Sequence, residues 1–289
     1  MNEITLSAGD LKFSALVEGT GQTILFLHGF PDTKQTFSKQ IEFFSGRGYR
    51  AVAPMLRGYE PSSQTKAPYY LRSVAGDVLQ WIDELGEDKV HLVGHDWGAV
   101  ISYVVCAMAP EKFMSLSTLA IPHPRRFYKS LSLLPVQLRK SWYMLFFQMR
   151  VIADMKVEAN DWALIEKLWR DWSPDWKCPD GMMHSIKNTF SKPGVKAAAL
   201  GYYRALFDVF SSESRRSWKL LGAPLHVPTL ALTGERDGCM DSRLYDMMRS
   251  DDFSQGLQIT RVPNAGHFLH LEQPAQVNQL LFQFINSHS

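Results

Sequence analysis

Residues 89–100 read K-V-H-L-V-G-H-D-W-G-A-V. An apolar, β-branched run reaches Gly94-His95-Asp96-Trp97-Gly98 and gives way to Ala99-Val100-Ile101, which predicts a buried strand turning sharply into a helix. Glycine two residues either side of Asp96 lets such a turn adopt a strained conformation and lets helix and strand approach closely, lifting the central side chain clear of the sheet. This is the spacing of a nucleophile elbow, and the side chain at its tip is a carboxylate. Glycines at this spacing also mark ordinary strand-to-helix junctions, so the rest of the constellation has to decide the matter.

The residue type sets the chemistry. A serine here needs a base before it can attack a carbonyl, whereas an aspartate, with a reference pKa of about 3.9, is already ionised at neutral pH. A carboxylate is a weak nucleophile, suited to displacing a strained or good leaving group from a tetrahedral carbon. Epoxides and alkyl halides meet that description.

With 289 residues the chain can bury a substantial core, as one large domain or a core with an insertion. A net charge of +2 and a pI near 8.3 are too mild to indicate nucleic acid or a strongly anionic partner. The cysteines Cys106, Cys178 and Cys239 are odd in number and widely spaced, so they outline neither a disulfide framework nor a metal motif. A reducing compartment is the default. The first ten residues carry Glu3 and Asp10 and no apolar core, so no signal peptide is expected, and residues 92–109 read as strand plus helix, not a membrane span. These features predict a cytoplasmic protein without stable membrane insertion.

Working outward from the elbow, residues 4–6 and 11–17 alternate as an antiparallel edge pair turned at Ala8-Gly9-Asp10. Residues 24–27 form a continuous apolar strand ending in His28-Gly29-Phe30-Pro31. A helix over 33–44, a strand over 50–54, a helix over 70–85, the elbow strand and helix, and a strand near 114–121 follow. Strands alternating with helices predict a mostly parallel central sheet with helices on both faces. The alternation stops at Pro122-His123-Pro124 and returns only near 228–232. Six of the eight tryptophans fall between: Trp142, Trp162, Trp169, Trp172, Trp176 and Trp218. Residues 124–222 hold 17 Lys/Arg and 9 Asp/Glu, or +8, which leaves 14 and 20, or −6, elsewhere. This predicts a core of 1–123 and 223–289 with an inserted helical cap of 124–222. The basic, aromatic segment 125–150 suits a lid helix, which needs an apolar face in any case, and its composition also suits contact with a membrane surface. Strands over 229–232 and 257–262 then lead into Gly234-Glu235-Arg236-Asp237 and Ala265-Gly266-His267, and a helix over 274–285 closes the chain.

Asp96, Asp237 and His267 each follow the carboxyl end of a predicted strand, where active sites of open α/β sheets assemble. Taken with His28-Gly29-Phe30-Pro31 and Arg57-Gly58-Tyr59, these residues make the chain resemble an α/β hydrolase of the epoxide hydrolase and haloalkane dehalogenase group over nearly its whole length. The resemblance implies that Asp96 forms a covalent ester, and that His267, held by Asp237, activates the water that hydrolyses it. It also implies an oxyanion hole from the backbone N–H groups of Phe30 and Trp97, with no cofactor and no metal. Other readings stand beside these. Asp237 could cap the next helix while Glu235 or Asp241 serves as the acid, and His95 and His270 read as packing or hydrogen-bonding residues. His28 resembles the family's loop-orienting histidine. Met55 and Glu60 stand where the family often has Asp and Gly, a departure expected to alter local turn geometry only.

The leaving group separates the two chemistries. An opening epoxide needs a proton, best given by a tyrosine whose reference pKa of about 10 keeps it protonated. Ser141-Trp142-Tyr143-Met144 and Gly201-Tyr202-Tyr203-Arg204 resemble the two tyrosine segments of epoxide hydrolases, which implies Tyr143 and Tyr203 as proton donors. Helical spacing does not choose between Tyr202 and Tyr203, since both lie on apolar stripes. Phe30 cannot hold a halide as the asparagine of many dehalogenases does, although lid tryptophans keep dehalogenation as the alternative. Trp97, in place of an arginine, argues against fluoroacetate. A third reading is a ligand-binding protein with a vestigial triad. The expected partner is a small apolar epoxide, with no nucleic acid, and the chain is expected to be a monomer or homodimer.

Overall fold

The computed structural model describes residues 1–126 and 135–289. Residues 127–134, within the basic segment noted above, lie outside the described residues. Strands β1 (Asn2–Ala8) and β2 (Leu11–Glu18) pair antiparallel around Gly9, whose φ of 57° is the left-handed conformation that favours glycine in a tight turn. They continue into a sheet with β3 (Thr23–Leu27), β4 (Arg50–Pro54), β5 (Val90–His95), β6 (Phe113–Leu119), β7 (Thr229–Gly234) and β8 (Leu257–Val262). The eight strands lie in the order β1-β2-β4-β3-β5-β6-β7-β8, and from β4 onward every pair is parallel. After β3 the chain steps to one side to make β4 and then to the other to make β5. That reversal leaves a crevice at the carboxyl ends of β3 and β5, the place where such sheets bind ligands.

Burial explains why the central strands lack alternation. All five residues of β3 and all six of β5 are buried, because helices cover both faces. On one face Ile24 and Phe26 pack with α1 (Ser38–Ser45) and α11 (Pro274–Asn286); on the other Leu25 and Leu27 meet the apolar sides of α2 (Leu71–Glu84) and α3 (Trp97–Met108). Residues 34–37 form a 3-10 turn and the α-helix begins only at Ser38, in place of one helix over 33–44. Tertiary contacts set this turn: Thr36 Oγ1 meets His270 Nε2 at 2.6 Å, and buried Lys34 reaches Glu3 at 3.1 Å.

Between β6 and β7 lies the helical insertion: α4 (Pro135–Lys140), α5 (Trp142–Phe146), α6 (Arg150–Trp172), α7 (Asp180–Phe190), α8 (Val195–Leu206) and α9 (Ser212–Leu221). Helix α6 is interrupted at residues 159–162, where Asn160, Asp161 and Trp162 take positive φ. Polar anchors fasten the insertion to the core. The Arg57 guanidinium binds the buried Asp77 carboxylate of α2, and the Arg57 carbonyl accepts a 2.8 Å hydrogen bond from Tyr202 of α8. On the other side Gln137 of α4 donates to the Cys239 carbonyl at 2.9 Å and accepts from the Asp241 N–H at 2.8 Å, so one buried amide stands in for a peptide partner. Glu60 accepts from the Ser14 N–H at 2.8 Å and ties its loop to β2. A final short helix, α10 (Leu269–Glu272), precedes α11.

A Cβ on Gly98 would stand 2.0 Å from the Leu27 carbonyl oxygen, whereas one on Gly76, in α2, would meet nothing within 4 Å. Gly98→Ala is therefore expected to destabilise the fold by about 2 kcal/mol or more. Gly76→Ala should stabilise it by up to about 1 kcal/mol through helix propensity. Urea unfolding midpoints of the two variants should move in opposite directions.

Candidate active site

The tip of the elbow holds Asp96 at φ 50° and ψ −118°, a conformation uncommon for any residue with a side chain. The flanking glycines make it possible: a Cβ on Gly94 would lie 2.4 Å from the Gly98 carbonyl oxygen. Gly29 serves the same end from the β3 loop, since a Cβ there would fall 2.4 Å from that of Asp96. With this loop so close, the Phe30 N–H donates to Asp96 Oδ1 at 2.7 Å. Trp97 opens α3, so its N–H has no acceptor within the helix. His28 orients the loop, with Nδ1 against the Gly29 carbonyl at 3.0 Å and Nε2 accepting from the Leu56 N–H at 3.0 Å. Burial lowers its pKa to about 4, so it is a neutral bridge.

The next helical turn, Ser242–Met247, is capped by Asp241, which leaves Asp237, just after β7, to other partners. Asp237 Oδ1 accepts from the N–H groups of Cys239 and Met240 at 2.7 and 2.8 Å, while Oδ2 faces His267 Nδ1 at 3.0 Å. Asp241 is committed to Arg243 at 2.8 Å, and Glu235 is exposed. His267, beyond β8, donates its backbone N–H to the Trp172 carbonyl of the insertion at 3.0 Å, and turns Nε2 toward Asp96 Oδ2 at 3.5 Å. Burial alone would lower the imidazole pKa; the carboxylates of Asp237 and Asp96 outweigh it and hold the pKa well above the usual value.

Tyr143 of α5 and Tyr203 of α8 face each other with ring centroids 5.8 Å apart. Trp97 stands edge-on to Tyr203 at 4.9 Å and Phe30 at 5.3 Å. The Tyr203 hydroxyl is buried without a hydrogen-bond partner among the described residues, while that of Tyr143 meets Cys239 Sγ at 3.2 Å. Burial first, then the nearby Cys239 for Tyr143 and Asp96 for Tyr203, raises both phenols well above 10, so both keep their protons at neutral pH. Tyr202 spends its hydroxyl on the Arg57 carbonyl and stacks on Tyr69 at 5.5 Å.

Three features escaped sequence reading. Cys239, two residues past Asp237, touches Tyr143. Gln137, six residues before Tyr143, pins the same turn to the insertion. Asp32, directly after the His28-Gly29-Phe30-Pro31 loop, gathers with His95 and His270 so that donor atoms of all three lie within 4.8 Å of one another. Asp32 Oδ2, His95 Nδ1 and His270 Nδ1 are each buried without a partner among the described residues, while the other ring nitrogens bind the His267 carbonyl at 2.9 Å and Thr36 Oγ1 at 2.6 Å. The only sequence signal was the carboxylate beside the motif. Asp237, Cys239 and His267 form a second group with donors that close, but there the Asp237 carboxylate already serves His267 and two N–H groups.

This fold and this site define a class. The family model described as alpha/beta hydrolase fold matches residues 22–274, and the chain belongs to that family. Among the members it is similar to are several epoxide hydrolases. It is 29% identical over 276 residues to human epoxide hydrolase 4, covering 92% of this chain and 73% of that one. To epoxide hydrolase 3 of Siraitia grosvenorii it is 28% identical, covering 99% and 98%. The crystal structure of an epoxide hydrolase from Bacillus megaterium with a bound inhibitor superposes with a TM-score of 0.86 at 27% identity, covering 98% of this chain and 100% of that one. The protein is thus an epoxide-hydrolase-like α/β hydrolase whose buried Asp96, His267 and Asp237 fit a catalytic triad.

Burial pushes the Asp32 carboxyl up to about 7. The folded protein therefore holds this proton to about pH 7 and the unfolded chain only to about pH 4, so the stability it contributes is complete below about pH 4 and is lost as pH rises through 7. His95 and His270, shifted downward by burial, act in the opposite sense and are common to both proteins compared. The Tm difference between Asp32→Asn and the unaltered protein should shift in favour of the variant as pH rises from 4 to 8. A constant difference would mean that Asp32 does not titrate in this range.

Proposed function

We propose that the protein hydrolyses a small apolar epoxide to a vicinal diol through a covalent ester on Asp96. In the first step an Asp96 carboxylate oxygen bonds to a ring carbon, the carbon–oxygen bond of the ring breaks, and a phenol of Tyr143 or Tyr203 gives its proton to the departing oxygen. In the second, His267 takes a proton from water and the hydroxide adds to Cγ of the ester. The N–H groups of Phe30 and Trp97 stabilise the resulting oxyanion, an interaction worth roughly 3 kcal/mol per donor in other enzymes. The ester bond then breaks, the diol oxygen takes the proton from His267, and the proton released as Asp96 returns to its carboxylate restores the tyrosine. Residues 124–222 act as the cap that brings both phenols over the nucleophile.

The observation that carries this reading is a pair of buried, protonated phenols above a carboxylate elbow, one of them with its hydroxyl unspent. Tyr202, whose hydroxyl is engaged, is the poorer candidate. Electrostatics supports the order of steps. The Asp96 contact helps to hold a proton on His267, and esterification removes that carboxylate's charge, which moves the imidazole toward the neutral base the second step requires. For the dehalogenase alternative a cap indole must be available to a halide. Trp162, Trp169 and Trp218 give their N–H groups to Ser191, to the Pro31 carbonyl and to the Leu206 carbonyl, which leaves Trp172, with its ring 5.0 Å from those of Tyr143 and His267, as the cap indole that reading would need.

Purified protein should form diol from styrene oxide and release no bromide from 1-bromobutane. Bromide without diol would overturn the epoxide reading. With His267→Gln, mass spectrometry should find Asp96 heavier by one epoxide. Tyr143→Phe combined with Tyr203→Phe should slow ring opening by roughly 10²-fold or more. If only Tyr202→Phe does so, the assignment of the donors fails.

A further inference from the structure

We propose that the outward face of residues 135–156 is a docking surface for an anionic lipid bilayer. Its inner side, with Gln137, Tyr143, Phe147 and Ala153, is buried against the site and core. The outer side is apolar as well: Leu138, Trp142, Leu145, Met149, Ile152 and Met155 recur every three or four residues, and each is exposed, Leu145 to 66% and Met155 to 64%. These side chains belong to α4, α5 and the residues around the start of α6, and exposed apolar groups so concentrated beside a buried side call for a second apolar environment.

Charge selects that environment. Arg139, Arg150 and Lys156 lie on the same segment, exposed and without an ion pair among the described residues. The one acidic residue of the segment, Asp154, is bound to Arg204 at 2.8 Å. A second copy seated symmetrically on this face would set the same cations against each other. Lipid headgroups of negative charge complement them, while the apolar side chains enter the boundary of the acyl chains and Trp142 sits at the polar interface. The attachment is peripheral, since no helix among the described residues is long and apolar enough to cross a membrane.

Sedimentation with phosphatidylcholine vesicles, with and without phosphatidylglycerol, tests the proposal. Three cations at about 1 kcal/mol each predict a roughly hundredfold preference for the anionic vesicles, diminished by salt. Leu145→Glu combined with Ile152→Glu should abolish binding while thermal melting and turnover of a water-soluble substrate stay unchanged. Replacing Arg139, Arg150 and Lys156 by Gln should remove the anionic preference alone. No binding to anionic vesicles, equal binding to both kinds, or a dimer by light scattering that the Glu substitutions dissociate in protein that ignores vesicles would each overturn the proposal. Vesicle binding is measured without substrate, so its failure is separate from failure of the epoxide reading.

Discussion

The close approach of the start of α3 to the ends of β3 and β5 governs the architecture of the site. Gly98 faces the Leu27 carbonyl where no side chain fits, and Gly94 and Gly29 complete a cradle in which only Asp96 projects. This forces a positive φ on an aspartate, a conformation that persists because strand, helix and loop all depend on it. In return the carboxylate stands at the crevice that the sheet order opens, with the Phe30 N–H already on it. The other groups are brought to that point by later strands of the same sheet.

Two carboxylates share one buried histidine. Asp237 is fixed by two backbone N–H groups as well as by His267, so it orients the ring while remaining an acceptor. Asp96 stands farther off, at 3.5 Å from Nε2, close enough to help raise the pKa of the ring. Burial strengthens both effects, because a buried charge interacts over a lower dielectric than one in water.

Polar contacts hold the insertion against the core at Arg57 and at the turn that carries Asp237. Tyr202 ties α8 to Arg57, which in turn binds Asp77 of the core. Gln137 and Lys140 bind the turn that carries Asp237, Lys140 at 2.7 Å from the Asp237 carbonyl. Adjacent tyrosines thus divide the labour: one hydroxyl anchors the helix and its neighbour is left unspent in the site. On the proposed reading, fixing the helix reduces the freedom that the phenol of Tyr203 would otherwise lose on meeting a substrate.

Much of this was legible in the sequence because it rests on local rules. Periodicity and glycine spacing marked the elbow, the alternation of strands and helices, and the point where the insertion begins after β6. The boundaries of β4, α3 and β8 follow from the same patterns. The sequence also presented Asp96, Asp237 and His267 as residues that follow strands, but their meeting is a property of strand order, which brings β5, β7 and β8 to one edge of the crevice. What only the tertiary structure decided lies between segments distant in the chain. Spacing could not separate Tyr202 from Tyr203, since both lie on apolar stripes; in the fold the Arg57 carbonyl takes the hydroxyl of Tyr202 and not that of its neighbour. Nor could spacing pair Cys239 with Tyr143, bring Asp32 to His95 and His270, or open the expected helix of 33–44 with a 3-10 turn. Those outcomes depend on which polar atoms burial brings together, and burial is set by the packing of the whole chain.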